Sequence, residues 1–188
     1  EYPVCHLLEF TIKYTRLFSM TSTFNPINPM DVKAVTCLGA GPIGAGWAAY
    51  FLAHGYIVTS YIHSLDEEPA LRSLIENAWI SLTQLGLSEG ASLDNFSCTN
   101  NLKDAVSSAD FIQESVPENI DLKQGVYAQL GDLAPANVVI ASSTSGLSMT
   151  DIQANCATPL RTVVGHPFNP PYLLPLVEIV KGEQTAPE

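Results

Sequence analysis

Three glycines at the spacing G-x-G-x-x-G are the most informative chemical signal in the chain. Gly39, Gly41 and Gly44 follow an apolar run at residues 33–38, and an apolar pattern with helical spacing begins directly after them. A strand, a glycine turn and a helix in this order bind a dinucleotide pyrophosphate, because the turn admits the phosphates and the helix N-terminus offers free N–H groups. An ordinary glycine turn is the alternative. The predicted cofactor loop comprises Gly39, Ala40, Gly41, Pro42, Ile43 and Gly44.

A histidine at the end of a predicted strand is the second chemical candidate. Imidazole titrates near neutral pH, so His166 is a candidate general acid and base, with a structural histidine as the alternative. The prolines at 167, 170, 171 and 175 favour a stiff reversal that would return Glu178 beside it. A carboxylate bonded to one imidazole nitrogen fixes the tautomer and stabilises the protonated ring, which predicts a catalytic pair. A solvated charge on a strand face is the alternative for Glu178.

Four hydroxyl side chains follow another predicted strand, at residues 142–145. Ligands of parallel α/β sheets bind beyond the carboxyl ends of the strands, so at least one hydroxyl is expected to face substrate or cofactor. A capping or turn element is the alternative. A Ser-His-Glu hydrolase would use the same residue types, but the sequence contains no G-x-S-x-G elbow.

Alternating strands and helices would position these groups. The predicted strands are residues 33–38, 56–62, 96–99, 110–116, 137–142, 162–165 and 176–180. The predicted helices are residues 44–54, 71–85, 102–109 and 121–133, with a short helix opened by Ser148. This alternation predicts an α/β fold with a doubly wound, Rossmann-type sheet.

Composition narrows the class of protein. The 188 residues are 46% hydrophobic and 14% charged, which suits a globular domain with a core. The net charge of −11 argues against nucleic acid and anionic membranes as partners, and no apolar run reaches transmembrane length. Cysteines at 5, 37, 98 and 156 lack metal spacing, so no metal site is predicted. Buried free thiols at Cys37 and Cys98 favour a reducing compartment, the cytoplasm, with mitochondria as the alternative.

The N-terminal part of the chain is predicted to be an extension, residues 1–31, with the domain at residues 32–188. Residues 1–19 lack the basic start and apolar core of a signal peptide. Met20 begins a more ordinary leader, so an upstream-reading artefact and a real extension are both open. Residues 21–30 are rich in Pro, Asn, Ser and Thr, which predicts a flexible lead-in.

From about residue 33 the chain resembles the NAD-binding domain of the 3-hydroxyacyl-CoA dehydrogenase family. The motifs that carry the resemblance are the glycine loop, ESVPEN at 114–119, STS at 143–145, GHPFNP at 165–170 and PLVE at 175–178. The wording SSTSGL and HPFNPPY is closest to the branch that contains carnitine 3-dehydrogenase and gulonate 3-dehydrogenase.

The resemblance implies NAD-dependent oxidation of a secondary 3-hydroxyl on a small molecule, by hydride transfer to the nicotinamide. It implies that His166 takes the hydroxyl proton, that Glu178 orients His166, and that Ser145 binds the substrate oxygen. The substrate could be a 3-hydroxyacyl-CoA, carnitine or a similar 3-hydroxy acid. The alternatives are a non-catalytic NAD-binding module and an NADP-linked 3-hydroxy acid reductase.

The resemblance also implies a cofactor set beyond the glycine loop. Glu118, Lys123 and Asn169 match positions around the nicotinamide and its ribose. Ser143 falls in the same region, where many members have asparagine.

Two features depart from the family pattern. The family usually has an acid at the end of the second strand, bonded to the adenosine ribose, and this chain has Ile62 there. Weaker NAD binding is therefore expected, and Ile62→Asp should tighten it. No arginine lies nearby to bind the 2′-phosphate of NADP.

The family also has a C-terminal helical domain that closes the cleft and forms a dimer. The chain ends ten residues after Glu178, so that domain is expected to be absent through truncation or loss, and a homodimer is expected only where it is present.

Overall fold

A seven-stranded sheet organises the domain, and the computed structural model describes residues 24–188. The predictions for residues 1–23, including Cys5, lie outside this range. The strands are β1 (Ala34–Leu38), β2 (Ile57–Tyr61), β3 (Phe96–Thr99), β4 (Phe111–Glu114), β5 (Val139–Ser142), β6 (Thr162–Pro167) and β7 (Val177–Lys181). The α-helices are α1 (Pro42–Ala53), α2 (Glu68–Leu85), α3 (Leu102–Val106), α4 (Ile120–Leu133) and α5 (Met149–Ile152).

The order of the strands defines where a ligand can bind. The sheet runs β3-β2-β1-β4-β5-β6-β7. Strands β1 to β6 pair in parallel, whereas β7 pairs antiparallel with β6. The chain moves outward from β1 to β3 and then returns to the other side of β1, so the switch point lies between β1 and β4. This topology confirms the predicted doubly wound Rossmann-type sheet, and a crevice opens at its carboxyl edge.

Apolar layers on both faces of the sheet explain why its strands are so apolar. Helices α1 and α2 cover one face, where Leu52 and Ile75 lie in the same buried cluster as Cys37. Helices α3, α4 and α5 cover the other face, around Ile112 and Ile140. Both faces of the central strands are therefore buried, whereas β7 is mostly exposed, and polar side chains gather at the carboxyl edge.

Several element boundaries differ from the predicted ones. Helix α1 begins at Pro42 rather than at residue 44, because proline suits the first helical turn, where no intrahelical N–H bond is needed. Strand β4 ends at Glu114, two residues early, so Ser115 and Val116 belong to the loop at the crevice. Strand β6 continues to Pro167, which places His166 inside a strand pair with β7.

The described part of the predicted lead-in is attached to the domain. Residues Pro29–Asp31 form a single 3-10 turn, and the backbone N–H of Ile27 donates to the carbonyl of Asn137 over 3.1 Å. Ile27 also packs against the core beside α4. The boundary at residue 32 stays a prediction, although the segment just before it contacts the domain.

The described cysteines are free thiols. Cys37 and Cys156 are buried, whereas Cys98, which was predicted to be a buried free thiol, is free but only partly buried. Within residues 24–188, no helix has both the length and the apolar character needed to cross a membrane.

Candidate cofactor and catalytic site

The three glycines of the loop have different surroundings. Gly39 has a φ of +106°, and a Cβ there would lie 2.6 Å from the carbonyl oxygen of Ser115. A Cβ on Gly44 would overlap the carbonyl oxygen of Gly39, so only a residue without a side chain fits where α1 packs on the loop after β1. Around Gly41, in contrast, no atom of residues 24–188 lies within 4 Å of an added Cβ. The loop is therefore tightly packed at Gly39 and Gly44 and open at Gly41.

The open side of the loop meets the start of α1. Gly41 is the N-cap of α1, and no side chain of the described residues caps the helix, which leaves its first-turn N–H groups available to a ligand. Aligned peptide dipoles make such a helix start a favourable place for an anion. This geometry agrees with the predicted role of residues 39–44 in binding a pyrophosphate, a role that stays a prediction.

A cleft beside the glycine loop collects several of the predicted residues. It has a volume of about 190 Å³. Its lining comprises Ile43, Ser115, Val116, Glu118, Lys123, Ser143 and Ser145. Five of these residues were predicted from the sequence, and Ser115 and Val116 were not. They were missed because the predicted strand ran to residue 116, whereas β4 ends at Glu114 and both residues follow it directly.

A buried ion pair forms the floor of this cleft. Nζ of Lys123 lies 2.6 Å from Oε1 of Glu114, and their side chains are 1% and 0% exposed. Glu114 also accepts hydrogen bonds from the N–H of Val116 at 2.7 Å and from Oγ of Ser142 at 2.6 Å. Lys123 donates further to the carbonyl of Val116 at 3.2 Å. Lys123 was predicted beside the nicotinamide or its ribose; its ammonium is engaged with Glu114, a member of the ESVPEN motif for which no role in the site was predicted.

Glu118 holds the loop that follows β5. Its Oε1 accepts hydrogen bonds from Oγ1 of Thr144 at 2.5 Å and from the N–H groups of Ser145 and Gly146 at 3.1 Å each. Partial burial raises the pKa of Glu118, but these hydrogen bonds and the positive charge of Lys123 outweigh burial and lower the pKa overall. The charged carboxylate of Glu118 therefore holds the backbone of Ser145 in place.

Ser143 is the centre of a hydroxyl network at the carboxyl edge. Its Oγ accepts from Nε1 of Trp47 at 3.2 Å and from Nε2 of Gln113 at 2.8 Å, and it lies 2.8 Å from Oγ of Ser115. The network joins α1, β4 and β5 at the switch point. Trp47 and Gln113 were not predicted to belong to the site, although a glutamine within an apolar strand was a visible signal.

His166 and Glu178 face each other across β6 and β7. They are direct partners in the antiparallel register, and Nδ1 of His166 lies 3.0 Å from Oε2 of Glu178. A carboxylate can only accept, so the contact places the proton on Nδ1 and leaves Nε2 able to take up a proton. The predicted proximity of the two residues is present in the structure, while their catalytic roles stay predictions. The side chains of His166 and Glu178 are 29% and 60% exposed, respectively.

The loop after His166 packs back onto α1. A Cβ on Gly46 would lie 2.9 Å from Cδ of Pro171, so a glycine at this position of the helix allows close approach. Asn169 is exposed in this loop and lies outside the lining of the cleft. Ser145 is also exposed, but it does line the cleft. The structure therefore brings Ser145 to the cleft and does not bring Asn169 there.

Ile62 lies in the core. Its side chain is 1% exposed and belongs to the buried cluster that contains Leu71 and Ile75. A carboxylate at this position would lose its hydration. The Ile62→Asp change, predicted to tighten NAD binding, would therefore also lower the stability of the fold.

The comparisons with known proteins agree with this geometry. Residues 34–188 match the family described as "3-hydroxyacyl-CoA dehydrogenase, NAD binding domain". An L-carnitine dehydrogenase of Streptomyces coelicolor is 57% identical over 159 residues, which is 85% of this chain and 50% of that protein. An L-carnitine dehydrogenase of Pseudomonas aeruginosa is 46% identical over 158 residues, 84% of this chain and 49% of that protein. The chain thus spans about half the length of the relatives it matches.

Solved structures show the same architecture. The 3-hydroxybutyryl-CoA dehydrogenase of Escherichia coli superposes with a TM-score of 0.76 at 29% identity, covering 84% of this chain and 34% of that chain. The structure of FHMPC 5-dehydrogenase, an NAD+-dependent dismutase, superposes with a TM-score of 0.76 at 34% identity. It covers 83% of this chain and 51% of that chain.

Proposed function

The chain belongs to the 3-hydroxyacyl-CoA dehydrogenase family and corresponds to its NAD-binding domain, and on this premise we propose that the whole protein oxidises the secondary 3-hydroxyl of a small 3-hydroxy acid. The names of the relatives favour carnitine as the substrate. The observation that carries the catalytic part of the proposal is the 3.0 Å contact between His166 and Glu178 at the same edge as the glycine loop.

The proposed acid–base chemistry follows from the tautomer of His166. Bound NAD would supply the hydride acceptor. With its Nδ1 proton held by Glu178, the imidazole presents an unprotonated Nε2 that can remove the hydroxyl proton of the substrate. The carboxylate of Glu178 then stabilises the imidazolium that forms. Ser145 would donate a hydrogen bond to the substrate oxygen from a loop that Glu118 holds in place.

The choice of NAD over NADP is supported by the segment after β2. This segment carries Asp66, Glu67 and Glu68, and Oε2 of Glu67 accepts from the N–H of His63 at 3.0 Å. A cluster of negative charge at this place disfavours the extra phosphate of NADP. The NADP-linked reductase is therefore the weaker alternative.

The compartment and assembly state are parts of the same proposal. Cys37, Cys98 and Cys156 are free thiols, which supports a reducing compartment, and we place the protein in the cytoplasm. The resemblance to the family supports a homodimer formed through a second, helical domain.

The test of the proposed function is His166→Gln in the longest polypeptide that the gene encodes. We expect NAD affinity within twofold of the native value and a fall in turnover of carnitine of about 10²–10⁴-fold, because general-base catalysis is lost. Glu183→Gln, an exposed change beyond β7, is the matched control. Turnover by His166→Gln at the native rate would rule out this role. Native protein that binds NAD and turns over no 3-hydroxy acid would favour the non-catalytic module.

A further inference from the structure

The hydrogen bonds at Ser143 have a direction that chemistry fixes. The indole Nε1 of Trp47 can only donate. Nε2 of Gln113 lies 3.2 Å from the carbonyl oxygen of Gly165, which can only accept, so the amide is oriented with its nitrogen toward Ser143. Oγ of Ser143 therefore accepts twice, which uses both of its lone pairs. Its own proton must go to its third neighbour, Oγ of Ser115 at 2.8 Å.

The proton of Ser115 is consequently directed away from the network. Ser115 accepts from Ser143, so its own O–H needs a different acceptor. Within residues 24–188, the structure shows no other hydrogen-bond partner for this hydroxyl. Ser115 is half-buried and lines the cleft beside Ile43 and Lys123. The hydroxyl is thus a donor that is free to bond to a ligand in the cleft.

The position of the cleft identifies which half of a dinucleotide would meet this donor. The glycine loop follows β1 at the switch point, and a dinucleotide places one mononucleotide on each side of it. The cleft lies on the β4 and β5 side, the side on which β6 carries His166. Hydride transfer requires the nicotinamide near His166, so the nicotinamide half belongs on this side.

We propose that the hydroxyl of Ser115 donates a hydrogen bond to an acceptor oxygen in the nicotinamide half of the bound cofactor. The chain of donors from Trp47 and Gln113 through Ser143 orients it before the cofactor arrives. Such preorganisation lowers the entropic cost of binding. This inference rests on the proposed function for the identity of the cofactor and adds Ser115 as a cofactor-binding residue.

The test is the dissociation constant of Ser115→Ala for NAD and for ADP, measured by calorimetry. We expect NAD binding to weaken about fivefold to tenfold, the equivalent of one lost hydrogen bond. ADP contains the adenosine and the pyrophosphate but not the nicotinamide half, so its affinity should stay within twofold. If the change instead disturbed the adjacent glycine loop, ADP would weaken as well, and this result would overturn the proposal.

Two further variants complete the design. Ser107→Ala, an exposed serine that bonds only within the turn after α3, is the matched control and should bind NAD normally. In a Ser143→Ala background the orientation of Ser115 is released, so Ser115→Ala should cost less there; strictly additive losses would contradict the directional chain. Native NAD affinity in Ser115→Ala would refute this inference alone. Failure of the native protein to bind NAD would refute the proposed function.

Discussion

Gly41 and Gly44 are three residues apart, but they serve different needs at the scale of single residues. Gly44 has no room for a side chain, because a Cβ would overlap the carbonyl oxygen of Gly39. Gly41 has ordinary extended dihedral angles, φ −76° and ψ 176°, and open space where its Cβ would stand. Residues 24–188 therefore leave open the space above Gly41, where the pyrophosphate is predicted to bind.

This difference predicts opposite outcomes for two alanine substitutions. Gly44→Ala should lower the free energy of unfolding by about 1–3 kcal/mol through overpacking, whereas Gly41→Ala should change it by less than about 0.5 kcal/mol. Gly41→Ala should instead weaken NAD binding at least about tenfold, because the methyl group occupies the space assigned to the phosphates. Denaturant unfolding and calorimetric titration measure the two effects. Normal NAD affinity in Gly41→Ala would show that the phosphates lie elsewhere.

At the scale of elements, the end of α4 depends on a residue far along the chain. Arg161 is 2% exposed and donates to the carbonyls of Leu130 and Gly131 at 3.1 Å each, to that of Ala134 at 3.3 Å and to that of Pro135. The last carbonyls of a helix lack partners in a following turn; here the carbonyl of Leu130 also accepts from the N–H of Ala134 at 3.1 Å. A buried guanidinium thus supplies the donors and a positive charge at the negative end of the helix dipole. Helix α4 carries Lys123, so this cap also supports the floor of the cleft.

We expect Arg161→Ala to destabilise the domain by about 3 kcal/mol, because several buried carbonyls lose a charged donor at once. Arg72→Ala is the matched control. Arg72 forms an exposed pair with Glu68 at 2.7 Å and lies over the ring of Phe96, so its loss should cost less than about 1 kcal/mol. Thermal and urea unfolding of both variants decide the matter, and equal losses would contradict the capping role.

At the scale of the whole molecule, two apolar layers cover the central strands of the sheet, and the charged network lies at one edge. The ion pair of Glu114 and Lys123 lies at this edge, with Glu118 3.6 Å from the same ammonium. The pKa of Glu118 is lowered relative to its ordinary value, so this carboxyl binds protons less readily in the folded protein than in the unfolded chain. Its contribution to stability is therefore present above the unfolded pKa and is lost as pH falls through the folded pKa.

The lowered pKa of Glu118 predicts that the effect of Glu118→Gln on stability depends on pH. At neutral pH the variant should unfold at a lower temperature than the native protein. The difference should shrink as pH falls below the ordinary value of 4.5, because the native carboxyl is then protonated as well. Melting temperatures measured from pH 7 down to pH 3 provide the test. A difference in melting temperature that stays constant over this range would show that the charge of Glu118 does not contribute to stability.

Local patterns determined much of this protein. The apolar runs predicted all seven strands, and the glycine spacing predicted the turn that begins α1. The proline-rich loop predicted that Glu178 would return beside His166, since neighbouring antiparallel strands need only a short connection. These features depend on residues that are close in sequence, where spacing and propensity carry the information.

Only the tertiary structure decided which side chains of the site contact one another. Lys123 pairs with Glu114, Ser143 links Trp47 to Ser115, and Ile62 faces the core rather than a ribose. Each of these contacts depends on which strands are neighbours and on their register, and a shift of one residue would reverse the face of every side chain. Spacing along the chain does not encode such pairings. They emerge when β1, β4 and β5 come together and helices cover both faces of the sheet.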